Sequence, residues 1–220
     1  MIFISRKREF IICIFLIIFF ASISKTSFAQ IKDNINWSSI RFSTSISQDL
    51  SFSIAPIIRF NNNLSSYQNS SIDFSIRHEL SDEWHMQLLS RTWFIPDQPG
   101  RQFIWLDLGY SRKLNNYGIA SHLRIHYALD INDRTDPDYV RWKSTFSLPG
   151  YRFIKAFIAI EPWFRLNENL QLQRMRYEPG MHLTLDEDLR LSLVYRKEET
   201  LNLMPWKDFN MYLLTLNFKL

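Results

Sequence analysis

The side chains best placed for chemistry are histidines. His122, Arg124 and His126 alternate along one segment, and Asp107 lies in the segment before it. In extended chain, residues two apart share a face. A histidine base beside a carboxylate, with a serine or water nucleophile within hydrogen-bond reach, is the arrangement of an acyl hydrolase or deacylase. Ser121 adjoins His122, but the same alternation turns it to the opposite face. His85, across a tight turn from Glu79, is a second dyad. The plainer alternative is a set of histidines hydrogen-bonded into a polar wall, with perturbed titration but no catalysis. No histidine cluster has metal-ligand spacing, and no cofactor motif is present. The acidic run Asp130 to Asp138 offers carboxylates to Ca²⁺ but lacks the EF-hand pattern and is read as a solvated loop.

The elements that must position these residues have a period of two. Tyr212, Leu214, Leu216, Phe218 and Leu220 alternate with Thr215, Asn217 and Lys219, and Ile40, Phe42, Thr44 and Ile46 alternate with Ser39, Arg41, Ser43 and Ser45. Similar alternation recurs along the chain, whereas a 3.6-residue period holds over no comparable window. The chain is therefore all-β.

Residues 1–29 have the form of a cleaved secretory signal peptide. Arg6, Lys7 and Arg8 precede the apolar run Phe10 to Phe20, and Ser27-Phe28-Ala29 supplies small residues for cleavage after Ala29. Residues 30–220 then form the mature domain, without Cys13 and hence without disulfide or thiolate chemistry. The whole sequence has 26 basic and 22 acidic residues; removing four basic and one acidic from the leader leaves 22 and 21, a net charge of +1. The pI near 9.2 thus loses its force as a nucleic-acid signal, and no basic stripe replaces it.

Segment length narrows the class. Most runs extend over about 9–12 residues, enough for a tilted strand to cross a bilayer and longer than the usual globular strand of about 5–6. The face opposite the apolar one carries thirteen basic residues: Arg41, Arg59, Arg77, Arg91, Arg124, Arg141, Lys143, Lys155, Arg174, Arg176, Arg190, Arg196 and Lys219. It carries six acids: Asp73, Glu79, Asp107, Glu161, Glu178 and Glu198. An apolar face toward lipid and a charged face toward a lumen predict an antiparallel up-and-down transmembrane β-barrel in the outer membrane. Aromatic residues near segment ends, such as Trp84, Tyr110 and Tyr195, fit interfacial girdles. Outer-membrane lipids are then the surrounding partner, and the C-terminal strand is the element offered to the barrel-assembly machinery.

Hairpin register arranges the lumen charges. Pairing Leu80 with Trp84 sets Asp73 opposite Arg91; Leu148 with Ile154 sets Arg141 opposite Glu161; Leu183 with Leu189 sets Glu198 opposite Arg174. Three complementary pairs favour a packed lumen over an open pore, although the basic surplus of seven would select anions in any passage. Glu161-Pro162 and Glu178-Pro179 put glutamates toward inward arginines, with prolines where a strand bends or bulges.

Connections alternate between tight ones, such as Ser47 to Asp49 and Asp186 to Asp188, and longer ones, such as Asn61 to Asn69 and Leu129 to Asp138. Eleven segments are countable, within an expected range of about 10–12 strands. Single-chain bacterial barrels have even numbers, which favours a twelfth strand or a lumen-threading segment over Gln30 to Asn36.

The stretches Ile158-Ala159-Ile160-Glu161-Pro162-Trp163-Phe164 and Arg174-Met175-Arg176-Tyr177-Glu178-Pro179-Gly180, followed by Leu189 to Arg196, resemble a bacterial family catalogued as domain of unknown function 2490. The resemblance covers the mature chain. It implies a small secreted β-barrel of a Gram-negative, Bacteroidetes-like cell, with no activity attached. Three functions remain open: a structural barrel or narrow small-solute channel with a basic, ion-paired lumen, a lipid hydrolase or deacylase using His122, His126 and Asp107, and a soluble periplasmic β-sheet binding protein.

Overall fold

The computed structural model describes residues 33–128, 139–151, 153–166, 170–201 and 208–220. The expected signal peptide at 1–29 and the acidic run at 130–138 lie outside them. Eleven strands form one closed barrel: β1 (Asp33–Ser45), β2 (Leu50–Asn61), β3 (Ser66–Glu79), β4 (Trp84–Phe94), β5 (Arg101–Leu114), β6 (Tyr117–Ala128), β7 (Tyr139–Ser147), β8 (Ile154–Arg165), β9 (Gln171–Thr184), β10 (Leu189–Thr200) and β11 (Asp208–Lys219). The all-β barrel and its eleven segments match the period-two pattern. No helix occurs among the described residues.

The preference for twelve strands is corrected. Asp33 to Asn36 extend β1 and form no strand of their own. With an odd number of up-and-down strands, first and last run the same way, so closure must be parallel. β1 pairs with β11 from Asp33↔Phe209 to Ser43↔Lys219, and every other neighbour pair is antiparallel. Parallel ladders are slightly weaker per residue, and side chains reinforce this one. The Ser39 and Thr215 hydroxyls lie 2.8 Å apart, and the Phe42 and Phe218 rings stack at 5.4 Å.

The faces divide as the alternation requires. Ile40, Leu106, Ile125 and Ile158 are exposed on the outer wall, whereas Asp73, Asp107, Glu161, Glu178 and Glu198 are buried inside. The β2–β3 connection is tighter than expected, because β3 already begins at Ser66. Asn62, Asn63 and Leu64 turn the chain with φ of 48°, 55° and 71°. Asparagine tolerates that left-handed region, and a leucine there is uncommon.

Three outward prolines interrupt the hydrogen-bond ladder, since proline has no N–H to donate. The β1–β2 register skips from Ser39↔Ile57 to Phe42↔Ile54 around Pro56. The β7–β8 register skips from Arg141↔Trp163 to Ser144↔Ile160 around Pro162. The β9–β10 register skips from Val194↔Gly180 to Lys197↔Tyr177 around Pro179. The residues before them, Ala55, Glu161 and Glu178, point inward and are buried. A bulge on β9 opposite Trp163 and Phe164 adds Gln173 to the buried lumen.

Candidate functional site

The lumen is built in three levels. Toward the longer connections, Leu89, Trp93, Phe103 and Trp105 pack into an apolar cluster. His126 lies within it, stacked on Phe103 at 5.1 Å and on Tyr139 at 6.1 Å. Ile35 and Met211, opposite each other across the parallel seam, are buried as well.

The middle level is an ion-paired girdle. Arg91 grips both oxygens of Asp73 at 2.5 and 2.7 Å, and Arg124 holds both oxygens of Asp107. Arg176 donates to Glu198 at 2.5 Å and to Glu161 at 3.2 Å. Arg174 reaches Glu198 at 3.3 Å, and Arg141 reaches Glu161 at 3.5 Å. Glu178 accepts from Arg196 at 2.5 Å and from Lys143. Bidentate and shared contacts of this kind satisfy the carboxylates that burial would otherwise penalise.

Register explains which expected pairs are direct. Asp73 is opposite Arg91, as the β3–β4 turn predicts. On β7–β8 Arg141 faces Trp163, and on β9–β10 Glu198 faces Arg176. Both hairpins are shifted by two residues from the expected pairing because their turns close one step later. Leu148 donates to Ala156, and Leu191 sits opposite Leu183. A two-residue shift preserves the facing side, so Arg141–Glu161 and Arg174–Glu198 persist as diagonal contacts.

Three inward tryptophans, not singled out in the sequence, separate the cations. Arg59, Arg91 and Arg196 lie over Trp37 at 5.0–5.7 Å. Arg91, Arg124 and Arg141 surround Trp105, and Arg141, Arg174 and Arg176 surround Trp163, with Arg176 at 3.9 Å. Cation–π contacts contribute about 0.5–2 kcal/mol each according to desolvation. Their signal was parity: Trp37, Trp105 and Trp163 stand two residues from Ser39, Asp107 and Glu161, on the same face.

The third level, toward the tight turns, is an open polar mouth of about 500 Å³. Arg41, Arg77 and Arg190 line it. Arg77 is held by Glu79 at 2.6 Å. Lys155 stands at this end opposite His182 and is exposed.

The hydrolase residues do not assemble. Asp107 gives both oxygens to Arg124, and His126 sits in the aromatic cluster. His122 lies against His85 with ring centroids 5.1 Å apart, both over Gly109. Ser121 accepts a bond from Trp142 on the outer wall at 2.6 Å. Glu79 is opposite His85 in register yet bonds Arg77. Among the described residues no three metal-ligating side chains converge. Comparison of the chain with protein families, curated proteins and solved structures finds no match.

Proposed function

We propose that the chain is an outer-membrane β-barrel of structural or narrow small-solute type, with a lumen closed in its middle by ion pairs and aromatic rings. One observation carries this: the barrel is apolar outside and charged inside. Exposed Leu106, Ile125, Ile158 and Leu214 suit hydrocarbon, whereas a soluble barrel would turn such residues inward. Strands of 9–14 residues are long enough to cross when tilted. Barrels of about eight strands fill their interior with side chains and those of about sixteen leave a channel; this one fills its middle and leaves one mouth open. The resemblance to the family of unknown function 2490 accords with such a barrel and adds no activity.

Cell fractionation, gel migration and planar-bilayer recording test the proposal together. Recovery with the outer membrane, heat-modifiable migration and no large steady conductance are expected. Recovery wholly in the soluble periplasm would overturn the membrane assignment. A wide, steady conductance would overturn the closed middle.

A further inference from the structure

Charges in this lumen are unevenly neutralised. In the girdle, Arg91, Arg124, Arg141, Arg174, Arg176, Arg196 and Lys143 each hold a carboxylate. In the mouth, Arg41, Arg190 and Lys219 line one cavity, and among the described residues none has a carboxylate within ion-pair distance. Arg77 adds a fourth cation, engaged by Glu79 through Nε and Nη2. Like charges drawn together inside a low-dielectric wall concentrate a positive potential and attract a counter-anion.

Around these cations the wall is hydroxylated. Ser53 and Ser75 share a bond of 2.7 Å, and Ser192 bonds the His182 Nδ1 at 2.9 Å and accepts from Asn217 at 3.4 Å. Such groups suit a ligand carrying hydroxyls besides its anionic centre. Carboxylates do occur at the rim, in the exposed β9–β10 turn Asp186 to Asp188. They make no ion pair with the mouth's cations, and the Asp186 side chain accepts the Glu187 N–H at 2.8 Å. The Lys219 N–H donates to the Asp188 carbonyl at 2.9 Å, so these carboxylates share the level of Lys219. Their charge opposes polyanions there, while Arg41 and Arg190 remain available to a small anion. The 500 Å³ volume falls within the range of small-molecule sites, about 300–1,000 Å³.

We propose that the tight-turn mouth of the barrel binds a small phosphorylated, hydroxyl-bearing solute, with Arg41, Arg190 and Lys219 holding its oxyanion. This deepens the small-solute part of the proposed function by naming a solute class, and it can fail while the membrane assignment stands. With the buried, ion-paired girdle beyond the mouth, binding is expected without transmembrane flux.

Calorimetric titration of the detergent-folded mature protein at low ionic strength tests it, with glycerol 3-phosphate, inorganic phosphate and glycerol as probes. Saturable binding is expected for both phosphates, tighter for the ester, and none for glycerol. Loss of a charge-assisted contact weakens binding by roughly tenfold or more, so Arg41→Gln and Arg190→Gln are each expected to do so. Arg112→Gln, which removes an exposed outer-wall cation paired with Glu83, is expected to bind like the parent. Absence of saturable phosphate binding, or parental affinity in the Arg41→Gln and Arg190→Gln proteins, would overturn the proposal. Heat-modifiable migration of each variant checks folding, and if Arg41→Gln does not fold, Arg190→Gln and Lys219→Gln decide. Membrane insertion is read separately by fractionation, so its failure is not confused with failure of the pocket.

Discussion

Arg176 on β9 donates its Nε to Glu198 on β10 at 2.5 Å, while its guanidinium lies 3.9 Å from the centre of the Trp163 ring. Both members of the ion pair are buried. Removing Arg176 leaves Glu198 only Arg174 and Glu161 only Arg141, and breaking a buried pair costs up to about 3–5 kcal/mol. Arg176→Met is therefore expected to lower stability by that order, read as an earlier loss of the folded band in urea. Exchanging both residues for apolar ones, Arg176→Met with Glu198→Leu, removes the under-compensated Glu198 charge, leaves partly exposed Arg174 to be solvated, and is expected to recover part of the loss. A double variant as unstable as the summed single ones would show that the pair is not coupled.

The outline of this girdle was legible before the structure because sheet parity is robust. Asp73–Arg91 follows from one tight hairpin, and a two-residue error in the other hairpins leaves each residue on its own face. Long arginine side chains then bridge the diagonal. The count of eleven was legible from the alternation, and only the preference for twelve failed: evenness is a habit of known single-chain barrels, whereas a closed ladder requires only that the first and last strands pair. The roles of Pro56, Pro162 and Pro179 were only half readable. A missing donor predicts a break, but which neighbouring strand loses the bond depends on register. The roles of Trp37, Trp105 and Trp163 were not legible because an aromatic side chain suits a lipid-facing and a lumen-facing position alike, and only the structure shows the arginines around them.

Gly109 marks a close approach. A Cβ there would lie 2.1 Å from two atoms of the His85 ring and 2.9 Å from His122 Nδ1. His85 is 2% exposed and has little room to retreat. Gly109→Ala is expected to destabilise the barrel by about 1–3 kcal/mol, the usual cost of overpacking. His85→Ala in the same chain opens the space and is expected to restore part of the stability in the same urea assay. No recovery would mean that backbone effects of the alanine dominate.

The hydrolase alternative has a direct test. With Asp107 held by Arg124 and His126 stacked among aromatic rings, no histidine base is oriented by a carboxylate among the described residues. His122→Ala and His126→Ala are expected to leave phospholipid and acylated-lipid turnover in vesicles at the level given by the parent protein. A fall in turnover with the folded band intact would reinstate the histidines as catalytic.

The outer wall supplies the sharpest test of environment. Leu106 faces outward at the middle of β5, with Leu88 and Ile125 beside it on the neighbouring strands and all three exposed. In water an arginine there would meet solvent on one side and cost little. In a bilayer the same charge sits in hydrocarbon, where an arginine near the midplane costs about 2–4 kcal/mol and one at the interface about 0–1 kcal/mol. Leu106→Arg is therefore expected to destabilise the vesicle-inserted barrel by that larger amount. Leu114→Arg, at the turn end of the same strand, is expected to be nearly neutral. The depth dependence isolates the lipid, because both substitutions add the same charge to the same outward face. Equal, small effects at the two positions would remove hydrocarbon from around Leu106 and with it the membrane-spanning assignment.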